Sequence, residues 1–238
     1  MTEQLITHLA SSIIWWLNYK SSVGRNYLFS EGSIKYPAAE CLESLSEAEI
    51  KLEYSHPNLY MRRLDMLVES EDEEHAFEFK FINGSSTRSN SERKRIFNDL
   101  MRLKLFLEEN RNGYFLICGK QDDFTHSFKK LVEDTDSYID DYTYDTQPSN
   151  EASGFYNEWF SFDNNDPKRE IGLHNAEENY ETIYHDFIND YSKSYEKYAS
   201  DELSLPNSLT TNLIFLSSDL PRSNLPNAYK IGIWEILQ

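Results

Sequence analysis

Asp65, Glu78 and Lys80 are the residues whose types and spacing could do chemistry together in this chain. Alternate residues of a strand share a face, so Glu78 and Lys80 lie on one side of a strand and Phe77, Phe79 and Phe81 on the other. In the strand before it, Arg63, Asp65, Leu67 and Glu69 point one way and Leu64, Met66 and Val68 the other. The short acidic turn Ser70–Glu74 makes these two strands antiparallel neighbours, so Asp65 and Glu78 are expected to converge with Lys80 beside them. Two close carboxylates repel unless a cation or a proton lies between them. A hard divalent ion such as Mg²⁺ or Mn²⁺ suits an oxygen-rich, partly hydrated place. The plainer alternative is a solvated sheet face on which Glu78 and Lys80 make cross-strand pairs. The phenylalanines opposite, and the apolar run Tyr114-Phe115-Leu116-Ile117-Cys118, instead mark a packed central sheet in which such charges are not idle.

The elements that must position these residues are legible in the same way. Leu5, Ile6, Leu9, Ile13, Trp16 and Leu17 recur at helical steps, which predicts a helix over 3–20. Pro37 suits a first helical turn and predicts a second helix over 37–45. Strands follow at 50–54, 64–69 and 76–82. A long helix is expected next, capped by Ser91, with Ile96, Phe97, Leu100, Leu103 and Leu107 as its apolar face and Asn110–Gly113 closing it. The run at 114–118 is the strand after it. Residues 37–118 therefore read helix, strand, strand, strand, helix, strand, an α/β arrangement with a central mixed sheet flanked by helices.

The net charge is −18, but residues 133–202 carry 19 acidic and 4 basic side chains, a net of −15. The remainder is near neutral, so overall acidity does not exclude a nucleic-acid partner. Nine of the chain's sixteen tyrosines fall in residues 133–205. That stretch reads as an acidic, partly helical insertion, with helix over 175–198. It separates a core at 1–132 from C-terminal strands at 206–238 (212–216 and 229–237) that return to the core. No apolar run approaches the ~20 residues of a membrane span. Two cysteines, Cys41 and Cys118, have no metal-like spacing and fit a reducing cytoplasm. The histidines show no ligand spacing, and neither a glycine-rich phosphate loop nor a serine-hydrolase elbow is present. Trp15, Trp16, Tyr180, Tyr184 and Tyr191 are read as packing residues, with Trp234 covering the core.

Asp65, a twelve-residue gap and then Glu78-Phe79-Lys80, set in that element order, resembles the PD-(D/E)XK nuclease superfamily with its restriction-endonuclease-like fold. The resemblance covers roughly residues 30–120; Leu64 stands where proline often precedes the aspartate. It implies that Asp65, Glu78 and the backbone carbonyl of Phe79 hold Mg²⁺ or Mn²⁺, and that Lys80 orients or activates the attacking water. It implies hydrolysis of phosphodiester bonds, most naturally in DNA, in restriction or phage defence, with a homodimer as one arrangement. Many members add a glutamate from the preceding helix. Glu40 fits a helix starting at Pro37, whereas Glu31, within Ser30–Lys35, fits the position relatives use; both stay open. Arg62, Arg63, Arg88, Arg93, Lys94 and Arg95 would contact phosphates, or else are solvated charges, with Arg95 and Asp99 a four-step surface pair. The alternative function is a catalytically silent protein of this fold whose acidic segment binds a basic partner or mimics DNA; a third combines the two, with the acidic segment covering the site until a partner or substrate displaces it.

Overall fold

Buried side chains at three- and four-residue steps, Ile6, Leu9, Ala10, Ile13 and Leu17, define the packed face of the first helix, α1 (Glu3–Ser22). The computed structural model describes residues 3–59, 61–82, 90–123, 159–172, 206, 208–219 and 228–238, with side chains of the helix at 90–106 described from residue 95 onward. A short 3-10 turn (Asn26–Leu28) leads to α2 (Glu31–Leu45). The strands β1 (Glu49–Ser55), β2 (Arg63–Glu69) and β3 (Glu74–Ile82) then form an antiparallel meander. Helix α3 (Asn90–Phe106) crosses over to β4 (Arg111–Lys120), which lies parallel to β3. The sheet continues through β7 (Tyr229–Leu237), β6 (Ser208–Leu216) and β5 (Lys168–Gly172), all antiparallel, giving the order β1-β2-β3-β4-β7-β6-β5. The protein is thus α/β, with a seven-stranded mixed sheet flanked by helices.

Each face of the sheet has its own core. On one, α1 and α2 cover Met66, Val68, Phe77, Phe79, Leu116 and Ile233. On the other, α3 covers Leu67, Ala76, Phe115, Ile117 and Trp234. Polar contacts also tie helices to the C-terminal strand. Asn18 of α1 accepts the Tyr229 N–H at 3.0 Å, and Lys104 of α3 donates to the Leu237 carbonyl at 2.7 Å.

Several expectations need correction. α2 begins at Glu31, six residues before Pro37, because the Ser33 hydroxyl accepts the Ser30 N–H at 2.9 Å and closes the helix start there. Pro37 sits inside the helix, where it removes one backbone donor without ending it. Ser91 is already the second helical residue of α3, and Gly113 belongs to β4. Alternation along β2 breaks at Asp65, since Leu64 packs with the α3-side core and Met66 with the other. Trp15 is 66% exposed and stacks on Tyr19. Within residues 133–205, β5 is the sheet's outermost strand, while Trp159 and Phe160 are fully buried against Phe97, Phe115 and Trp234. The helix expected over 175–198, with Tyr180, Tyr184 and Tyr191, lies outside the described residues. Among the described residues, no helix is long and apolar enough to cross a membrane. Both cysteines are free.

Gly119 lets β3 and β4 close together beside Lys80. A Cβ there would stand 2.7 Å from the Ile82 carbonyl oxygen. Gly119→Ala is expected to cost about 1–3 kcal/mol in urea unfolding, through overpacking rather than any loss of contact.

Candidate functional site

The β2–β3 ladder runs from Glu69↔Glu74 to Met66↔Phe77 and stops there. One residue further along, Asp65 replaces the missing main-chain partner, its Oδ2 accepting the Phe79 N–H at 2.8 Å. A strand residue's N–H and C=O point to the same edge, so the Phe79 carbonyl also faces the gap between the parted strands. Side chains from the α2 layer and from the α3 layer meet at this gap.

From α2, Lys35 donates to Asp65 Oδ1 and to Glu53 Oε1, both at 2.6 Å. Glu31 lies one helical turn before it, with Oε2 3.3 Å from Lys80 Nζ. From α3, Arg102 binds Glu78 Oε1 through Nε at 2.7 Å and Asp99 Oδ1 through Nη2 at 2.5 Å. Glu78 and Lys80 are both buried, at 1% and 6% exposure. The site therefore gathers five carboxylates (Glu31, Glu53, Asp65, Glu78 and Asp99) around three cations (Lys35, Lys80 and Arg102).

Glu53 adopts φ 51° in the middle of β1, a left-handed conformation uncommon for a residue with a side chain. Its neighbours follow the turn: Leu52 packs on the α1–α2 side and Tyr54 on the α3 side.

Burial and the carboxylate surplus act on the ionisable groups together. Glu78 is held well above the usual carboxylate range, first by burial, against the pull of Arg102, and further by the charges of Asp99 and Asp65. Asp99 is raised chiefly by burial as well, with Asp65 and Glu31 adding to it and Arg102 and Lys80 opposing. Glu31 is raised by burial, with Lys80 opposing. Burial disfavours the Lys35 ammonium, but its bonds to Asp65 and Glu53 more than reverse this. The His56 imidazole is lowered to about 4 by burial. Its Nδ1 accepts the Asn58 N–H, so Nε2 is the nitrogen that donates to the Arg102 carbonyl, which pins the β1–β2 connection to α3.

Asp65, Glu78, Lys80 and Glu31 thus share one site, whereas Glu40 lies on the exposed side of α2. A helix start at Pro37 favours Glu40, whereas the observed start at Glu31 places the Glu31 carboxylate beside Lys80. Arg62 is half-buried, and Arg63 is exposed at the start of β2. Arg95 is exposed on α3, while the side chains of Arg88, Arg93 and Lys94 lie outside those described. Asp99 is buried on Arg102 and is not a surface partner of Arg95. Neither Lys35, Asp99 nor Arg102 belongs to a motif. Asp99 does carry a signal, since it falls at a helical step from Ile96 and Leu103 on the buried stripe.

The donor set suits a hard divalent cation: the Asp65 and Glu78 carboxylates within electrostatic reach of each other, a carbonyl facing the same gap, and more acids than bases around it. Among the described residues, no three carboxylate, imidazole or thiol groups stand together as a preformed metal cage. Asp65, Glu78 and Glu31 are each turned onto a cationic side chain instead. Comparison with family models, with curated proteins and with solved structures finds no match to this chain.

Removing the Arg102 guanidinium strands two buried carboxylates. Arg102→Ala is expected to destabilise the fold by about 3 kcal/mol at pH 8. The sign of the pH effect follows from the raised carboxylates. The folded state keeps protons that the unfolded chain releases, so stability falls as pH rises above the ordinary carboxylate range. The variant's deficit is therefore expected to be smaller at pH 5 than at pH 8, as read by chemical unfolding at the two values.

Proposed function

We propose that this chain is a metal-dependent nuclease with a restriction-endonuclease-like core, hydrolysing phosphodiester bonds, most naturally in DNA. The observation that carries the reading is the meeting of Asp65, Glu78 and Lys80 where β2 parts from β3, with Glu31 joining from α2. The element order helix, strand, strand, strand, helix, strand over residues 31–120, with β3 and β4 parallel, supports the same assignment.

In this reading Asp65, Glu78 and the Phe79 carbonyl would hold Mg²⁺ or Mn²⁺. The ion, when bound, supplies charge stabilisation at the phosphoryl oxygens and makes a bound water more acidic. The chain's own groups do the rest. Lys80, buried and held by Glu31, orients the attacking water and offsets charge on the phosphate. The Phe79 N–H fixes one oxygen of Asp65 and so aims the other at the gap. Arg63 and Arg95, exposed on β2 and α3, and the half-buried Arg62 are candidates for steering phosphates; Arg88, Arg93 and Lys94 belong to the same proposal. A homodimer would let two such sites cut both strands of a duplex.

A second reading has its own observation. Asp65 and Glu78 already have ion-pair partners in Lys35 and Arg102, as in a site that neutralises itself and performs no catalysis. The protein would then act by binding, with its acidic segment directed at a basic partner.

Incubation with supercoiled and linear DNA in Mg²⁺ or Mn²⁺ separates the two. Nicking or linearisation by the wild-type protein, lowered about a hundredfold or more in Lys80→Ala and Asp65→Ala, is the expected result. Undiminished cleavage by folded Lys80→Ala would count against this site as the source of the activity, and none by the wild type across single- and double-stranded substrates would favour the silent reading.

A further inference from the structure

Lys35 lies at the centre of the site, yet neither the motif nor the proposed chemistry uses it. Its side chain is only 12% exposed, and its ammonium bridges Asp65 Oδ1 and Glu53 Oε1 at 2.6 Å each. The other oxygen of Asp65 is already committed to the Phe79 N–H. The oxygen that Asp65 could offer a metal is therefore the one that Lys35 holds. An ammonium and a divalent cation on the same carboxylate oxygen repel strongly where water is scarce. The second anchor is unusual in its own right. Glu53 takes a left-handed backbone conformation in mid-strand, and its carboxylate is bonded to Lys35. An anion kept there at a conformational cost gives the ammonium somewhere to remain once Asp65 is taken.

Building on the metal-binding reading above, we propose that Lys35 is a resident counter-ion for Asp65. It holds the carboxylate in the metal-free protein, yields Asp65 Oδ1 to a divalent cation, and stays paired with Glu53 when it does. The exchange is one of ion pairs alone, with no proton and no covalent bond changing hands. Lys35 is then a positioning residue that sets how tightly the site takes metal.

Calorimetric titration of Mn²⁺ into the purified full chain tests this, with circular dichroism confirming the fold of each variant. Lys35→Gln is expected to tighten Mn²⁺ binding about tenfold, because the competing charge is gone. Glu53→Gln is expected to weaken it, because the displaced ammonium loses its refuge. The double variant should match Lys35→Gln, since Glu53 acts only through Lys35. Asp65→Asn should abolish uptake in every background. If wild-type uptake depends on Asp65 but Lys35→Gln leaves it unchanged or weaker, the counter-ion role is overturned and the metal-binding reading stands. If neither the wild type nor Lys35→Gln takes up Mn²⁺ in a way that Asp65→Asn removes, the metal-binding reading fails and this role fails with it. Should Lys35→Gln not fold, an unchanged affinity in Glu53→Gln overturns the proposal by itself.

Discussion

Five carboxylates and three cations share a gap in the sheet, and this excess of acids over bases is the constraint around which the rest is arranged. Buried anions in excess are costly unless protons or cations join them. The fold meets that cost from both layers at once. α2 sends Glu31 and Lys35 through one side of the opening, and α3 sends Asp99 and Arg102 from the other. Neither layer could neutralise the gap alone, because each brings an acid with its base.

The gap exists because the β2–β3 ladder stops short and a side chain takes over a main-chain role. Once Asp65 binds the Phe79 N–H, its position is tied to the backbone of β3, the most deeply buried strand of the meander. β3 is fixed in turn by β4 alongside and by packed aromatics such as Phe77 against Tyr114. The charged groups sit on a frame that hydrophobic packing has already made rigid, which suits a site whose geometry must not drift.

Most of this frame was legible in the residues. Period-two alternation placed β2 and β3, a continuous apolar run placed β4, and apolar helical steps placed α1 and α3. That Asp65 and Glu78 lie within electrostatic reach of each other follows from two strands joined by a short turn. What escaped was set by non-local or unusual geometry. Pro37 drew the start of α2 too late, because a hydroxyl–backbone closure at Ser30 and Ser33 overrode the proline's preference. β5 and the buried Trp159–Phe160 pair were hidden in an acidic stretch, where a handful of core residues is diluted by polar neighbours. The pairing of Lys35 with Glu53 could not be read at all, since it depends on a backbone turn that glutamate seldom adopts.

That turn has a consequence beyond the site. Among the described residues β1 is an edge strand of the sheet, on the side away from β5, and a sheet edge is a template on which another chain can add a strand. The reversal of facing at Glu53 interrupts the flat run of donors and acceptors that such an addition needs. Glu49 and Lys51 add charge on the same margin, Lys51 being bonded back to Glu69. The distortion that lets Glu53 reach Lys35 therefore also breaks up the pairing surface at this border of the sheet.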